Sequence, residues 1–189
     1  MVRKFSFPLF SFSALALVWV WALPFLDRFA EVSAPPTDKT QIEWISIEEA
    51  AKRNQKKPRK IFIDVYTDWC GWCKKMDRDT FSNPKVAAYL NKHYYAVKLN
   101  AEGKDPITLN GTTYQFKPEH RAHELAIQLL QGKMGYPTTV YLDENFNMLS
   151  PVPGYLTVEQ FDRILRFYGE NHYKTTTFPE FEKSQPANQ

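Results

Sequence analysis

The chain has 189 residues, of which 43% are hydrophobic and 24% charged, and this leaves room for one domain with a substantial core. Its formal net charge is +3, and Arg3 and Lys4 are the only charged residues before Asp27. Without those two, 22 basic residues stand against 21 acidic ones, so the charge balance gives no electrostatic case for binding nucleic acid. The basic run at 52–60 is better explained as a solvated helix end and loop than as a surface that binds nucleic acid.

The amino terminus predicts a membrane anchor. Arg3 and Lys4 precede Phe5–Leu26, an uncharged run of 22 residues, which is close to the length of a membrane-spanning helix. Positive charge before the run places the amino end in the cytoplasm and the rest of the chain outside it. We therefore expect a single-pass protein of the inner (cytoplasmic) membrane. The alternative is a soluble exported protein cut after Val32-Ser33-Ala34, although Pro35 should hinder the peptidase.

Helices and strands alternate in the next part of the chain. Residues 46–49 have the pattern of a capping box, which opens a helix that reaches about Asn54. Lys60–Tyr66 is short, apolar and rich in β-branched and aromatic residues, so it predicts a buried strand. Good helix formers follow from about Cys70, which places this cysteine at a strand-to-helix junction.

A third helix and a second strand come next, followed by a polar stretch. Asn83 and Pro84 predict the start of a helix that runs through Asn91, and Tyr95–Leu99 predicts a strand. In the polar stretch, Asn110-Gly111 could turn a small hairpin between residues 107–109 and 112–114.

The remaining predicted elements complete an α/β fold. They are a helix at Glu119–Gln131, strands at Thr138–Leu142 and Asn147–Val152, and a last helix opened by the capping box at 157–160. Such an order gives a central sheet with helices on both faces. The end of the chain is rich in Thr, Pro, Glu and Gln and predicts a loosely ordered tail.

Cys70 and Cys73 are the two cysteines of the chain, and their C-x-x-C spacing lets them close into a disulfide and reopen as a dithiol. The same spacing also forms half of a structural zinc site. The histidines that could complete such a site are scattered: His93, His120, His123 and His172. At a helix start, unpaired backbone N–H groups and the helix dipole favour a thiolate, so we favour redox chemistry over zinc.

His120 and His123 lie three residues apart in the predicted helix at 119–131 and could share one face. A weak metal site or a partner contact would use such a pair. A solvated helix face explains it more simply, and we favour that interpretation.

The cysteine motif resembles the active site of the thioredoxin superfamily. Trp69-Cys70-Gly71-Trp72-Cys73-Lys74 is similar to the family's W-C-G-P-C-K sequence, with Trp72 in place of the proline. Asp64, six residues before Cys70, matches the family's buried acid, and Lys98 matches the lysine of the next strand.

Two further segments carry the same resemblance. Gly135-Tyr136-Pro137-Thr138 is similar to the family's G-I-P-T segment, in which the proline is cis and faces the cysteines. Gly154 and the helix after it resemble the end of the family's domain. The resemblance extends from about Glu43 to Tyr168 and implies a thioredoxin fold with an insertion before the cis-proline.

The resemblance also implies roles for the residues of the site. Cys70 is expected to be the exposed nucleophile that attacks a substrate disulfide, and Cys73 the thiol that resolves the mixed disulfide. Asp64 is expected to accept the proton from Cys73, with Lys98 tuning it. The expected substrate-binding residues are Trp69, Gly71, Trp72, Tyr136 and Pro137, with the backbone of Tyr136 pairing with an extended substrate segment.

These expectations favour a reductase of protein disulfides outside the cytoplasm, without a bound cofactor or metal, that receives electrons from a membrane partner. The alternative is a non-catalytic thioredoxin-fold binding or chaperone module, or a thiolate metal carrier. Trp72 in place of the proline leaves the redox potential open. The expected domains are a cytoplasmic region at 1–4, an anchor at 5–26, a linker at 27–42, the thioredoxin-like domain at 43–170 with its insertion at about 101–134, and a flexible tail at 171–189.

Overall fold

A computed structural model describes residues 40–185 of the chain. The predicted cytoplasmic region, the anchor and most of the predicted linker lie outside the described residues. In the part that is described, no helix has both the length and the apolar character needed to cross a membrane.

A five-stranded mixed sheet forms the centre of the domain. Its strands are β1 (Trp44–Ile45), β2 (Lys60–Tyr66), β3 (Tyr94–Asn100), β8 (Thr138–Leu142) and β9 (Met148–Pro153). They lie in the order β1-β3-β2-β8-β9, in which β1, β3 and β2 run parallel, β8 is antiparallel to β2, and β9 is antiparallel to β8. The fold therefore has the predicted mixed α/β architecture.

Side-chain caps fix where the main helices begin. Ser46, Asn83 and Thr157 each accept hydrogen bonds from backbone N–H groups of the first helical turn that follows them. The second of these helices also has Pro84 in its first turn, where a missing N–H costs nothing. The helices are α1 (Ile47–Lys56), α2 (Gly71–Met76), α3 (Pro84–His93), α4 (Glu124–Leu129), α5 (Val158–Gly169) and α6 (Phe178–Ser184).

Each face of the sheet buries its own apolar core. Ile61, Ile63 and Val65 of β2 pack on one face with residues of α1 and α4. Phe62 packs on the other face with residues of α2, α3 and α5. Because side chains alternate along a strand, Asp64 points to the same face as Phe62, towards α2. The strand period thus places a carboxyl group in an apolar layer.

The structure of the insertion confirms the predicted hairpin but not the predicted long helix. Strands β4 (Ile107–Leu109) and β5 (Thr112–Tyr114) pair around Asn110 and Gly111, which both have positive φ. The helix predicted at Glu119–Gln131 is wrong in its first part, where a short 3-10 turn leads to Arg121 in the left-handed region and helix α4 begins only at Glu124. The residues on either side of the 3-10 turn pair as strands β6 (Phe116–Lys117) and β7 (Ala122–His123).

His120 and His123 consequently do not share a helix face. His120 is exposed in the 3-10 turn, whereas His123 is buried. The Nδ1 atom of His123 accepts a hydrogen bond of 3.2 Å from the Leu125 N–H, and its backbone N–H donates to the carbonyl of Ala101. The bond to Ala101 joins this segment to the rest of the domain and the bond from Leu125 caps α4, so these contacts, rather than helix propensity, decide the local conformation.

The described part of the carboxyl-terminal segment, residues 171–185, forms regular structure, so the prediction of a loosely ordered tail is wrong for these residues. A 3-10 turn at His172–Lys174 leads to helix α6, and Glu180 accepts a hydrogen bond of 3.1 Å from the Thr177 N–H at its start. Phe181 is only 3% exposed and its ring lies 5.4 Å from that of Phe167 in α5. The polar composition of this segment gave no sign of the contact between Phe181 and Phe167, which packs the segment against the domain.

Candidate functional site

A disulfide joins Cys70 and Cys73 at the start of α2. Cys70 is the N-cap residue of this helix, and its Sγ accepts a hydrogen bond of 3.0 Å from the Cys73 N–H. A donor in that position stabilises negative charge on the Cys70 sulfur once the disulfide is reduced. Helix α2 continues directly into a π-helical turn at Asp77–Phe81.

Both sulfurs are covered in this disulfide form. Cys70 is 4% exposed and Cys73 is 3% exposed, so the expectation of an exposed Cys70 is not met here. The reason is geometric, since the Cys70 sulfur is turned towards Cys73 and its N–H group.

Asp64 is buried on the α2 side of the sheet. The residue is 1% exposed, and its Oδ1 atom has no hydrogen-bond partner among the described residues. Loss of hydration raises the pKa of Asp64 from 3.8 to about 6, against the lowering effect of Lys98. A carboxyl group with such a pKa can gain or release a proton near neutral pH.

Lys98 lies between two carboxylates. The register of β2 and β3 pairs Asp64 with Lys98, and the Lys98 Nζ is 3.3 Å from Asp64 Oδ2 and 2.5 Å from Asp77 Oδ1. Burial disfavours its charge, but both carboxylates outweigh that effect and raise the pKa of Lys98. Rings of Trp44 and Tyr66 lie 5.2 and 4.9 Å from the Nζ. Lys98 therefore stays cationic beside the buried acid.

Trp69 is held in place although it is highly exposed. Its side chain is 66% exposed, yet its Nε1 donates a hydrogen bond of 3.1 Å to Glu102, and its ring meets that of Tyr136 edge to face at 5.9 Å. Glu102 lies at the start of the insertion. The insertion thus fixes one border of the redox site.

The segment opposite the cysteine motif contains the predicted cis-proline. The Tyr136–Pro137 bond is cis, and the Pro137 carbonyl accepts a hydrogen bond of 2.8 Å from the Gly154 N–H. Trp72 is 59% exposed, and its ring lies 5.7 Å from that of Tyr155. Together with Tyr136, these residues line a groove of about 340 Å³.

The structure brings the predicted site residues together in separate groups. The disulfide pair lies at the start of α2, the Asp64–Lys98 pair spans β2 and β3, and Trp72 shares its groove with Tyr136 and Pro137. Gly71 is the exposed first residue of α2. Their catalytic and binding roles remain predictions.

Three neighbours of the site were missed in the sequence: Asp77, Glu102 and Tyr155. Asp77 lies four residues after Cys73, so helical spacing was an available signal. Tyr155 directly follows Gly154 of the family-like segment. Nothing in the sequence marks Glu102 as the partner of Trp69, because that contact joins two separate loops.

No cluster of three or more His, Cys, Asp or Glu side chains suited to a metal ion occurs within residues 40–185.

Comparisons with known proteins agree with this geometry. A family model described as a thioredoxin-like domain matches residues 47–169. The thiol:disulfide interchange protein DsbD of Pectobacterium atrosepticum is 28% identical over 158 residues, which cover 80% of this chain but 24% of that protein. DsbD of Vibrio vulnificus is 28% identical over 68% of this chain and 20% of its own length. The chain thus spans about a quarter or less of these relatives.

Solved structures show the same fold. The DsbH oxidoreductase has a TM-score of 0.52 and 15% identity, and the match covers 73% of this chain and 91% of that one. A thioredoxin from Thermus thermophilus has a TM-score of 0.52 and 17% identity over 78% of this chain and 99% of its own. Both likenesses concern the fold alone. With the family model matching most of the described domain, the chain belongs to the thioredoxin-like domain family.

Proposed function

We propose that this protein is a thiol–disulfide oxidoreductase that reduces protein disulfides outside the cytoplasm. The observation that carries the proposal is the combination of the Cys70–Cys73 disulfide with the buried carboxyl group of Asp64 on the face of β2 that points towards α2. The relatives are named thiol:disulfide interchange proteins, which supports disulfide exchange as the reaction class.

The reaction begins with the reduced pair. The Cys70 thiolate, stabilised by the Cys73 N–H, attacks one sulfur of the substrate disulfide and releases the other as a thiolate. Cys73 then attacks the Cys70 sulfur of the mixed disulfide and releases the second substrate thiolate. Two electrons pass to the substrate, and the protein is left with its disulfide.

Asp64 serves the second step. Cys73 has to lose its proton before it can attack, and a carboxylate with a pKa of about 6 accepts that proton near neutral pH. Lys98 keeps part of the carboxyl population ionised despite its burial. Asp77 shares the charge of Lys98 and so limits how strongly Lys98 stabilises the carboxylate.

The direction of the reaction is proposed as reduction. The W-C-G-x-C-K motif with a buried acid and a nearby lysine resembles the reducing branch of the family. Continued turnover then needs electrons from a membrane partner, and we propose that the apolar segment Phe5–Leu26 holds the domain at that membrane.

An insulin-reduction assay on the full-length chain tests this function. With dithiothreitol as electron source, we expect precipitation of the insulin B chain to be faster than with dithiothreitol alone. The matched control carries Ser at both cysteine positions and should not accelerate precipitation. Stoichiometric metal binding by the reduced protein without any turnover would instead support a thiolate metal carrier.

A measured reduction potential of the cysteine pair then separates reductase from oxidase. Equilibration of the full-length protein with defined glutathione buffers gives this value. We expect the pair to be more reducing than the glutathione couple. A pair that stays reduced in oxidising buffers would contradict the proposed direction.

A further inference from the structure

Exposed apolar side chains border the redox motif. Among the described residues, the exposed large hydrophobic side chains are Trp69 at 66%, Trp72 at 59% and Met134 at 39%. The first two flank Cys70 in the sequence, and Met134 lies two residues before Tyr136. Exposed apolar surface that collects around a reactive centre indicates contact with a partner molecule.

The groove beside this border is shaped for one side chain. Its lining residues are Trp72, Tyr136, Pro137, Gly154 and Tyr155, and its volume is about 340 Å³. Gly154 adds no side chain to it, and its N–H bond to Pro137 ties two sides of the groove together. Pockets for whole small ligands measure about 300–1,000 Å³, so this groove is at the lower limit.

Tyr155 lines the groove together with the cis-proline segment, and its ring has two neighbours. Its ring lies 5.7 Å from the ring of Trp72, and the Lys75 Nζ lies 5.1 Å from its centroid. Lys75 also forms an ion pair with Asp79, which keeps the ammonium group near this ring. The groove is therefore aromatic in its lining, and the Lys75–Asp79 ion pair lies next to its Tyr155 ring.

We propose that this groove is a specificity pocket that receives one bulky apolar side chain next to the reacting cysteine of the substrate, with Tyr155 as a specificity-determining residue. The proposal rests on the proposed function, because it names the class of protein disulfide that the site prefers. The groove is continuous with the motif that the substrate has to reach, since Trp72 lies between Cys70 and Cys73 in the sequence. An aromatic or large aliphatic side chain loses water on binding there, which favours it over glycine.

Charge should also affect which substrate side chains the groove accepts. A substrate lysine or arginine would have to give up water in the groove, while Lys75, paired with Asp79, already occupies the Tyr155 ring that could attract its charge. We therefore expect basic side chains at this position to be disfavoured relative to apolar ones.

Peptide disulfides test the preference. Each probe is an otherwise polar peptide with a single cysteine in mixed disulfide with glutathione, and the residue before or after that cysteine is Phe, Gly or Arg. The pre-reduced full-length protein reacts in a single turnover, in which the Cys70 thiolate attacks the peptide sulfur and displaces glutathione thiolate. Cys73 then releases the peptide thiol, which is measured by chromatography after acid quench.

In one of the two positions, we expect the Phe peptide to react about tenfold faster than the Gly peptide, and the Arg peptide no faster than Gly. Tyr155→Ala should reduce the Phe preference to less than about threefold, while Tyr155→Phe should keep it because the ring remains. Tyr89→Ala is the matched control, since Tyr89 is half-buried in α3 and contacts His93 and Arg166 instead.

Other outcomes overturn the proposal in distinguishable ways. Equal rates for the Phe and Gly peptides with the unmodified protein would show that the groove is not a specificity pocket, but would leave the proposed reductase function intact. An unchanged preference in Tyr155→Ala would show that Tyr155 does not determine it. If no peptide is reduced at all, the proposed function fails together with the pocket.

Discussion

Asp64 shows at the residue scale how burial converts an ordinary side chain into a reactive one. Its pKa is raised above the unfolded value, so the folded state binds a proton more tightly than the unfolded state does. The stability linked to this proton is fully present below pH 3.8 and is lost as the pH rises to about 6. At neutral pH the ionised carboxyl group therefore destabilises the fold.

Asp64→Asn should separate stability from catalysis. We expect the variant to be more stable than wild type at pH 7 by about 1–3 kcal/mol, because the cost of a buried charge is removed. Urea unfolding at pH 4 and pH 7 measures this difference, which should shrink at the lower pH. A strongly destabilised variant would mean that the carboxylate is structural.

The same variant should resolve mixed disulfides about 10²–10⁴ times more slowly at neutral pH, because Cys73 loses its proton acceptor. The defect should decrease as the pH approaches about 8.5, where a free thiol ionises without help. Stopped-flow reduction of a disulfide substrate across this pH range measures the effect. Wild-type speed at pH 7 would exclude Asp64 as the base.

The two cysteines should fail in different ways. We expect Cys70→Ser to abolish all exchange, and Cys73→Ser to accumulate mixed disulfides with substrates, since attack and resolution belong to different sulfurs. Non-reducing gels of each variant after incubation with an oxidised protein substrate measure this. Normal turnover by Cys73→Ser would reverse the assignment of roles.

Pairing between elements creates the acid–lysine pair. Parallel pairing of β2 and β3 sets Asp64 beside Lys98, although the two residues are distant in the sequence. A slip of one residue would turn one of these side chains to the other face of the sheet. Such a slip is unfavourable because both faces of β2 are covered, and it would move Asp64 into the core that Ile61, Ile63 and Val65 occupy.

Helix α6 should contribute measurably to stability, in contrast to a loosely ordered tail. Phe181 is 3% exposed and contacts Phe167 and His172. We expect Phe181→Ala to lower the free energy of unfolding by about 2–4 kcal/mol. Thermal or urea unfolding measures the change, and Lys183→Ala, at an exposed position of the same helix, should have little effect. Equal stability of both variants would mean that the segment does not stabilise the domain in solution.

At the scale of the whole molecule, placement decides which disulfides the site can meet. We propose that the full-length chain stays in the membrane fraction with the domain outside the cytoplasm, because 22 uncharged residues follow two positive charges. Fractionation, protease accessibility and amino-terminal sequencing of the mature protein check this. A mature chain that begins near Pro35 would identify a soluble exported protein instead.

Local signals in the sequence were enough to predict strands β2 and β3, the capped helices, the hairpin at Asn110-Gly111 and the pairing of the two cysteines. Each of these depends on neighbouring residues, through side-chain periodicity, turn chemistry or caps. Their order also carried the resemblance from which the fold followed.

Tertiary contacts decided the rest. The backbone N–H of His123 donates to the Ala101 carbonyl, which holds residues 122–123 in a strand instead of the predicted helix, and the burial of Phe181 orders the predicted tail. Glu102 contacts Trp69, and Tyr155 contacts Trp72, because segments that are distant in the sequence come together at the cysteine motif. Such contacts join residues that are far apart in the chain. They therefore produce no local sequence pattern from which they could be predicted.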